Sequence, residues 1–224
     1  MKRHLSLLLL LLSGAVLSSL HAQQVVLKSA GRDTAYVRTI LIRSEKNISA
    51  LALTGVAAEN ARNVVANRYF ELNDIYAERD TAIAVAKRTL TGDDKNSAVD
   101  AAKAQCDSKL YRSHFAFPAN LGLFLDEAQI EAVKDGITMG VVKVTYEATL
   151  DMIPTLTDEE KQQILLWLRE ARELALDAES SKKKHEVFGK YKGRINNYLS
   201  GRGYDLVKER EAWYERIKAR GGTI

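Results

Sequence analysis

Cysteine and proline are almost missing from this chain. Cys106 stands alone, and Pro118 and Pro154 are the two prolines in 224 residues. A lone cysteine excludes a disulfide-stapled scaffold, and Cys106 reads as a small buried apolar group. With 46% hydrophobic and 28% charged residues, intrinsic disorder is excluded as well. Histidine is scarce too: His4, His21, His114 and His185 are all there are. The G-x-S-x-G elbow, the P-loop, the dinucleotide fingerprint and HExxH are all lacking, so nucleophilic serine or cysteine catalysis has no support.

The head of the chain is distinctive. Met1-Lys2-Arg3-His4 is cationic, Leu5 to Leu12 is leucine apart from Ser6, and Ala22 offers a small residue before Gln23-Gln24. This is the layout of a signal peptide, expected over residues 1–22, with a helical domain over 23–224. The unbroken apolar run is shorter than the ~20 residues that span a bilayer, so no membrane span is expected after cleavage. No cysteine follows it to carry a lipid anchor. Removing Lys2 and Arg3 leaves 31 basic against 29 acidic residues, an excess of two. Nucleic acid is therefore not an expected partner. Loss of His4 and His21 leaves two histidines and one cysteine, too few for a zinc site, and neither a metal nor another cofactor is expected. The expected location is periplasmic or secreted.

What is abundant favours helix: Ala, Leu, Glu, Lys and Arg, with few glycines inside periodic stretches. Val141-Val142-Lys143-Val144 is the single strand-like patch. Val37, Ile40, Leu41, Ser44, Ile48 and Leu51 share one side of a first helix starting at Asp33 or Thr34. Thr54 is placed to cap a long second helix reaching about Leu90, with a stripe from Ala61 through Val65 and Leu72 to Ile83. Thr91 to Asn96 reads as a polar break, and a third helix runs from Ser97 to about Phe115, ahead of Pro118. Asp126 opens a fourth helix that Gly136 and Gly140 bend or break before Pro154. Thr157 with Glu160 is a capping box for a fifth, over Asp158 to about Ala178. Ser180 or Ser181 caps a sixth that ends at Gly201, and a last helix runs from Asp205. The expectation is all-α: one antiparallel bundle of about seven helices, kinked near Pro118 and Gly136/Gly140.

The densest unusual stretch is Ser181 to Ser200. Phe188, Ile195 and Leu199 point to the core, while His185, Gly189, Lys192 and Asn196 line an adjacent side, beside Gly193 and Asn197. Glycine inside a helix costs ~1 kcal/mol against alanine, so either a helix packs closely there or a ligand approaches the backbone. With Arg194 and Tyr198, the ligand alternative is a groove suited to an acidic sugar. A second stretch, Asn73-Asp74 through Arg79-Asp80, reads as surface pairing or as a cation site lacking EF-hand spacing. Tyr146 and Asp151 form a third candidate, as core aromatic and helix-end partner or as site residues. His114 reads as a hydrogen-bonded core histidine. Trp167 reads as packing, or as a stacking surface for a sugar.

The string Lys184-His185 with Phe188-Gly189-Lys190-Tyr191-Lys192-Gly193-Arg194-Ile195-Asn196-Asn197-Tyr198-Leu199, together with Leu72-Asn73-Asp74-Ile75, Val144-Thr145-Tyr146 and Asp151-Met152-Ile153-Pro154, resembles an uncharacterised family of exported bacterial helical proteins. That family is a domain of unknown function with a sugar-binding label, often found near pectin-utilisation genes. The resemblance implies an exported, carbohydrate-associated role, with an oligosaccharide or polysaccharide fragment as partner and no established catalytic residues. Three functions are thus in play: non-catalytic binding of acidic sugars; a periplasmic helical chaperone or adaptor, from the Leu-(Asp/Thr)-x-x-(Gln/Glu) helix starts at Leu125 and Leu156; and a uronide-acting lyase or hydrolase.

Overall fold

The computed structural model describes residues 24–222, and the expected signal peptide lies outside them. Among the described residues the structure is helical, with no strand. The order is α1 Thr34–Ile48, a 3-10 turn Ser49–Leu51, α2 Gly55–Thr89, α3 Gly92–His114, α4 Ala116–Leu121, α5 Glu127–Ile137, α6 Val141–Met152, α7 Asp158–Leu176, α8 Ser181–Gly201 and α9 Leu206–Ala219.

Most helix starts follow from local chemistry. Asp33 accepts from the Tyr36 amide, and Asp126/Gln129 and Thr157/Glu160 both form reciprocal capping boxes. Thr54 and Thr91 precede their helices but make no side-chain cap, contrary to the expectation for Thr54. The break before α3 is also shorter than its composition suggests. Asp93 and Asp94, read as turn residues, instead occupy the first turn of α3, where the positive end of the helix dipole favours acids. Pro118 is the third residue of α4, where amides have no intrahelical partner to lose. The strand-like valines at 141–144 form the first turn of α6.

The two flagged glycines act differently. Gly140 adopts φ 66° and separates α5 from α6. Gly136 stays inside α5 because α1 crosses it: a Cβ there would sit 2.5 Å from the Asn47 carbonyl oxygen. The short α4 and the α5/α6 split raise the expected seven helices to nine among the described residues.

Two larger cores organise the bundle, beside a smaller one of Ile40, Ala66 and Phe70 between α1 and α2. Val64, Val65, Phe117, Leu121, Val133 and Ile137 fill the one enclosed by α2, α4 and α5. Ile164, Leu168, Ala171, Phe188, Ile195 and Leu199 fill the one between α6, α7 and α8. Each buried Val, Leu, Ile or Phe among them contributes about 1.5–3 kcal/mol relative to exposure. Helix α7 joins the two: Leu176 belongs to the first core and Ala175 to the second. Arg172 reinforces the join by pairing with Glu131 and Asp135 of α5.

Candidate functional site

Helices α7 and α8 are antiparallel neighbours joined by the turn at 177–180. On α7, Trp167, Glu170 and Leu174 fall three and four residues apart and share a face. On α8, Lys183, Val187, Lys190, Arg194 and Tyr198 do the same. Where these faces meet α2 and α3 there is a cleft of about 780 Å³. Its wall includes Tyr111 and Phe115, which are 72% and 62% exposed. Their rings pack edge to face at 6.0 Å.

The floor of the cleft is a charge junction at Asp177, just past the end of α7. Asp177 Oδ1 accepts from Arg68 Nη2 at 2.6 Å, and its Oδ2 lies 2.8 Å from His114 Nδ1. Tyr76 donates its hydroxyl to the Asp177 carbonyl at 2.6 Å, and burial pushes the Tyr76 phenol up to about 12. A carboxylate only accepts, so Nδ1 of His114 carries the hydrogen in this contact, and the neutral tautomer that it selects has Nε2 as its acceptor. Around this floor Arg79 pairs with Glu179 at 2.7 Å and Lys183 with Glu186 at 2.8 Å. Lys190 forms no ion pair or hydrogen bond with a described residue, and its charge acts on Glu186 one turn back. Cys106 also borders the cleft, buried as expected, and desolvation raises its thiol pKa.

Farther along α8, past the cleft's last lining residue Lys190, is an aromatic shelf. The Arg194 guanidinium lies 4.5 Å from the Trp167 ring centroid and 5.9 Å from that of Tyr191. Tyr198 meets Trp167 edge to face at 5.1 Å. Arg194 is held to Glu170 by a contact of 3.5 Å between exposed groups, a weak restraint. From Lys183 to Tyr198 the track spans about 22 Å at the helical rise.

The ten residues singled out in the sequence do not share one cavity. Arg194 and Tyr198 sit on the shelf. Lys192 and Asn196 are exposed on other sides of α8, as is His185, whose Nδ1 is 2.9 Å from the Ser181 carbonyl, while Asn197 is exposed two turns along from Lys190, at the edge of the same stripe. A Cβ at Gly189 or at Gly193 would meet nothing within 4 Å, which overturns the helix-packing reading of these two glycines. Asn73 is exposed on α2. Asp74 forms a two-bond pair with Arg32, at 2.9 and 2.6 Å, beside a separate cavity of about 560 Å³. Tyr146 is half-buried against the α6–α8 core. Asp151 accepts from Trp213 Nε1 at 2.6 Å and from Arg220 at 2.8 Å, fastening α9 to α6. The residues missed were Tyr111, Phe115, Asp177, Arg68 and Lys190. A signal for part of this set was present: Tyr111, His114 and Phe115 are spaced three and four apart at the end of α3, which puts three rings on one face. Among the described residues no group of three or more His, Cys, Asp or Glu could hold a metal ion, and no helix is long and apolar enough to cross a membrane.

Residues 37–219 match the family described as Protein of unknown function (DUF3826). The chain belongs to this family. The DUF3826 match runs from within α1 to the last residue of α9, so the cleft and the shelf both lie inside it, while residues 24–33 precede it. Comparison with curated proteins finds no match.

Proposed function

We propose that this is an exported carbohydrate-binding protein that holds an acidic oligosaccharide along the α7–α8 track. The observation that carries the reading is the succession of rings and cations: the exposed Tyr111 and Phe115, then Lys190, then Arg194 over the half-buried rings of Trp167 and Tyr191. Ring faces offer apolar area to the C–H faces of sugars, and a guanidinium can take a carboxylate through two parallel hydrogen bonds. A ligand carboxylate can take the place of Glu170 on Arg194 because that contact is weak. The helix starts at Leu125 and Leu156, which suggest a chaperone, are capping boxes, a device general to helices.

Calorimetric titration of the mature chain tests this. Heat is expected with uronic-acid oligosaccharides and not with their neutral counterparts, and it is lost in Trp167→Ala and in the double variant Lys190→Ala/Arg194→Ala. No heat across a broad panel of acidic glycans overturns the reading.

A catalytic reading has one specific support, the His114–Asp177 pair opening on the cleft. With Nε2 as base, a proton leaves the carbon beside a uronide carboxylate, its electron pair forms a C=C bond, and the C–O bond at the next carbon breaks. The departing oxygen takes its proton from water, and Lys190 offsets the carboxylate charge. Ultraviolet-absorbing unsaturated product that disappears in His114→Ala is the expected result; undiminished turnover in that variant removes His114 from the role.

A further inference from the structure

Asparagine has no advantage inside a helix, and burying its amide costs free energy unless every polar atom is bonded. Helix α2 nonetheless carries Asn60, Asn63 and Asn67 on one face, and Asn60 and Asn63 are 0% and 4% exposed. Their partners lie in the extended segment ahead of α1. The Val25 amide donates to Asn60 Oδ1 at 2.8 Å, and Asn63 Nδ2 donates to the Val25 carbonyl at 2.9 Å. Asn67 is used at both ends: Nδ2 donates to the Val26 carbonyl at 2.9 Å, and Oδ1 accepts from the Lys28 amide at 2.7 Å. The three side-chain amides supply partners to four main-chain groups of the extended segment.

The segment behaves like a bound peptide. Its residues alternate between exposed and half-buried from Gln24 to Ala30. Val25 packs into the α2/α4/α5 core, and Leu27 packs against Ile40, Ala66 and Phe70. Val26, between them, is 78% exposed. Main-chain bonds hold any extended chain, and side-chain pockets two residues apart select among chains. A cavity of about 490 Å³ lies alongside, with Val25 on one wall and Phe117 and Phe124 on the other. Past Lys28 the link is short: the Arg32 amide closes a turn onto the Ser29 carbonyl at 3.1 Å. Arg32 itself is pinned, paired with Asp74 and lying 4.6 Å from the Phe70 ring centroid.

We propose that Asn60, Asn63 and Asn67 form a receptor for an extended polypeptide, that residues 24–28 are its resident ligand, and that the same segment of a second copy of this chain is the partner that fits it. The apolar pair Val25/Leu27 fits because the receptor already holds that pair, and each copy carries both ligand and receptor. Exchange would replace every contact with an identical one, the least costly route to a dimer. The short link keeps the strap at a high effective concentration over its own groove, so the monomer dominates in dilute solution. The length of the Ser29–Gly31 link is what sets the balance.

Deleting Ser29, Ala30 and Gly31 from the chain that begins at Gln23 removes the reach of the strap while Arg32 stays pinned. The expected result is a change from monomer to dimer by light scattering, with helix content by circular dichroism retained. Adding Asn63→Ala/Asn67→Ala to the deletion returns it to monomer. A well-folded monomeric deletion variant overturns the proposal. A second measurement leaves the link intact, in case the deletion variant fails to fold: Val25→Asp/Leu27→Asp weakens the resident strap, and a fluorescent synthetic peptide of residues 24–30 is titrated in. Half-saturation is expected at a peptide concentration roughly tenfold or more below that needed by the unaltered chain, since two apolar anchors no longer compete. Absence of peptide uptake by both chains overturns the proposal. Neither readout involves a sugar, so its outcome is independent of the carbohydrate reading.

Discussion

His114 Nδ1 lies 2.8 Å from Asp177 Oδ2, and the other oxygen of the same carboxylate is taken by Arg68. One side chain past the end of α7 therefore ties together α2 and α3, and it does so at the floor of the cleft.

Asp177→Ala should be among the more damaging single substitutions. Arg68 is 5% exposed, and its Nε is buried without a hydrogen-bond partner. Removing Asp177 leaves a buried guanidinium with Glu71 as its remaining carboxylate. A loss of ~3–5 kcal/mol is expected, as for other buried pairs deprived of one member. His114→Ala leaves the Arg68–Asp177 pair intact and should cost ~1 kcal/mol. Urea unfolding of both variants checks the order; equal losses would show that the guanidinium does not depend on Asp177.

Two glycines with the same helical setting should respond in opposite directions. Gly136→Ala drives a methyl group to 2.5 Å from a backbone oxygen of α1, and backbone cannot swing aside, so a loss of ~1–3 kcal/mol is expected. Gly193→Ala meets nothing within 4 Å and should gain up to ~1 kcal/mol from helix propensity. Thermal melts give both signs. If Gly193→Ala is more stable yet binds oligosaccharide less well, the ligand passes over that stretch of backbone.

The helices were legible because their signals are local. Asp33, Asp126, Thr157, Ser180 and Asp205 all stand at helix starts, and each makes the side-chain bond its residue type permits. The buried set of α8, Phe188, Ile195 and Leu199, follows from the 3.6-residue period alone. The cleft was not legible, because it depends on how four helices meet. Periodicity places Lys190 and Arg194 on one stripe of α8, and it says nothing of Tyr111 or Asp177 arriving opposite them. It also cannot separate a glycine that admits a neighbour, as at 136, from one that faces open space, as at 189 and 193. The asparagine ladder of α2 was hidden for the same reason, since its partners lie 35 to 41 residues away in a segment without regular structure.

Burial gives Lys184 a pH dependence of stability. It is 6% exposed, and its Nζ has the Ile137 carbonyl at the end of α5 as a partner at 3.4 Å. Burial pulls its pKa down to about 8, with Arg43 and Arg68 adding to the effect and Asp177 opposing it. The unfolded chain therefore holds this proton more tightly than the folded one does. The resulting penalty is complete below pH 8 and fades as pH rises toward 10.5, the ordinary lysine value. Lys184→Met should be neutral or stabilising at pH 7, and its advantage over the unaltered chain should shrink across that window. A constant difference between the two from pH 7 to pH 10.5 would mean that Lys184 is not the titrating group.

Glu160 should produce the opposite slope at the acid end. The Thr157 amide, the Tyr204 hydroxyl at 2.8 Å and Arg202 Nε at 3.0 Å all donate to its carboxylate, which holds it down at about 2. These bonds favour the charged form, so the folded chain releases this proton more readily than the unfolded one. The stability they contribute is complete above pH 4.5 and is lost as pH falls toward 2. Glu160→Gln keeps the shape of the side chain but removes its charge and places an amide donor among three donors. The variant should be less stable than the unaltered chain at pH 6, and the two stabilities should converge as the pH is lowered from 4.5 to 2. Denaturant midpoints at four pH values across that range are enough to measure it. A gap that stays constant would mean that Glu160 stabilises the α7 start through shape and hydrogen bonding alone, with no contribution from its ionisation.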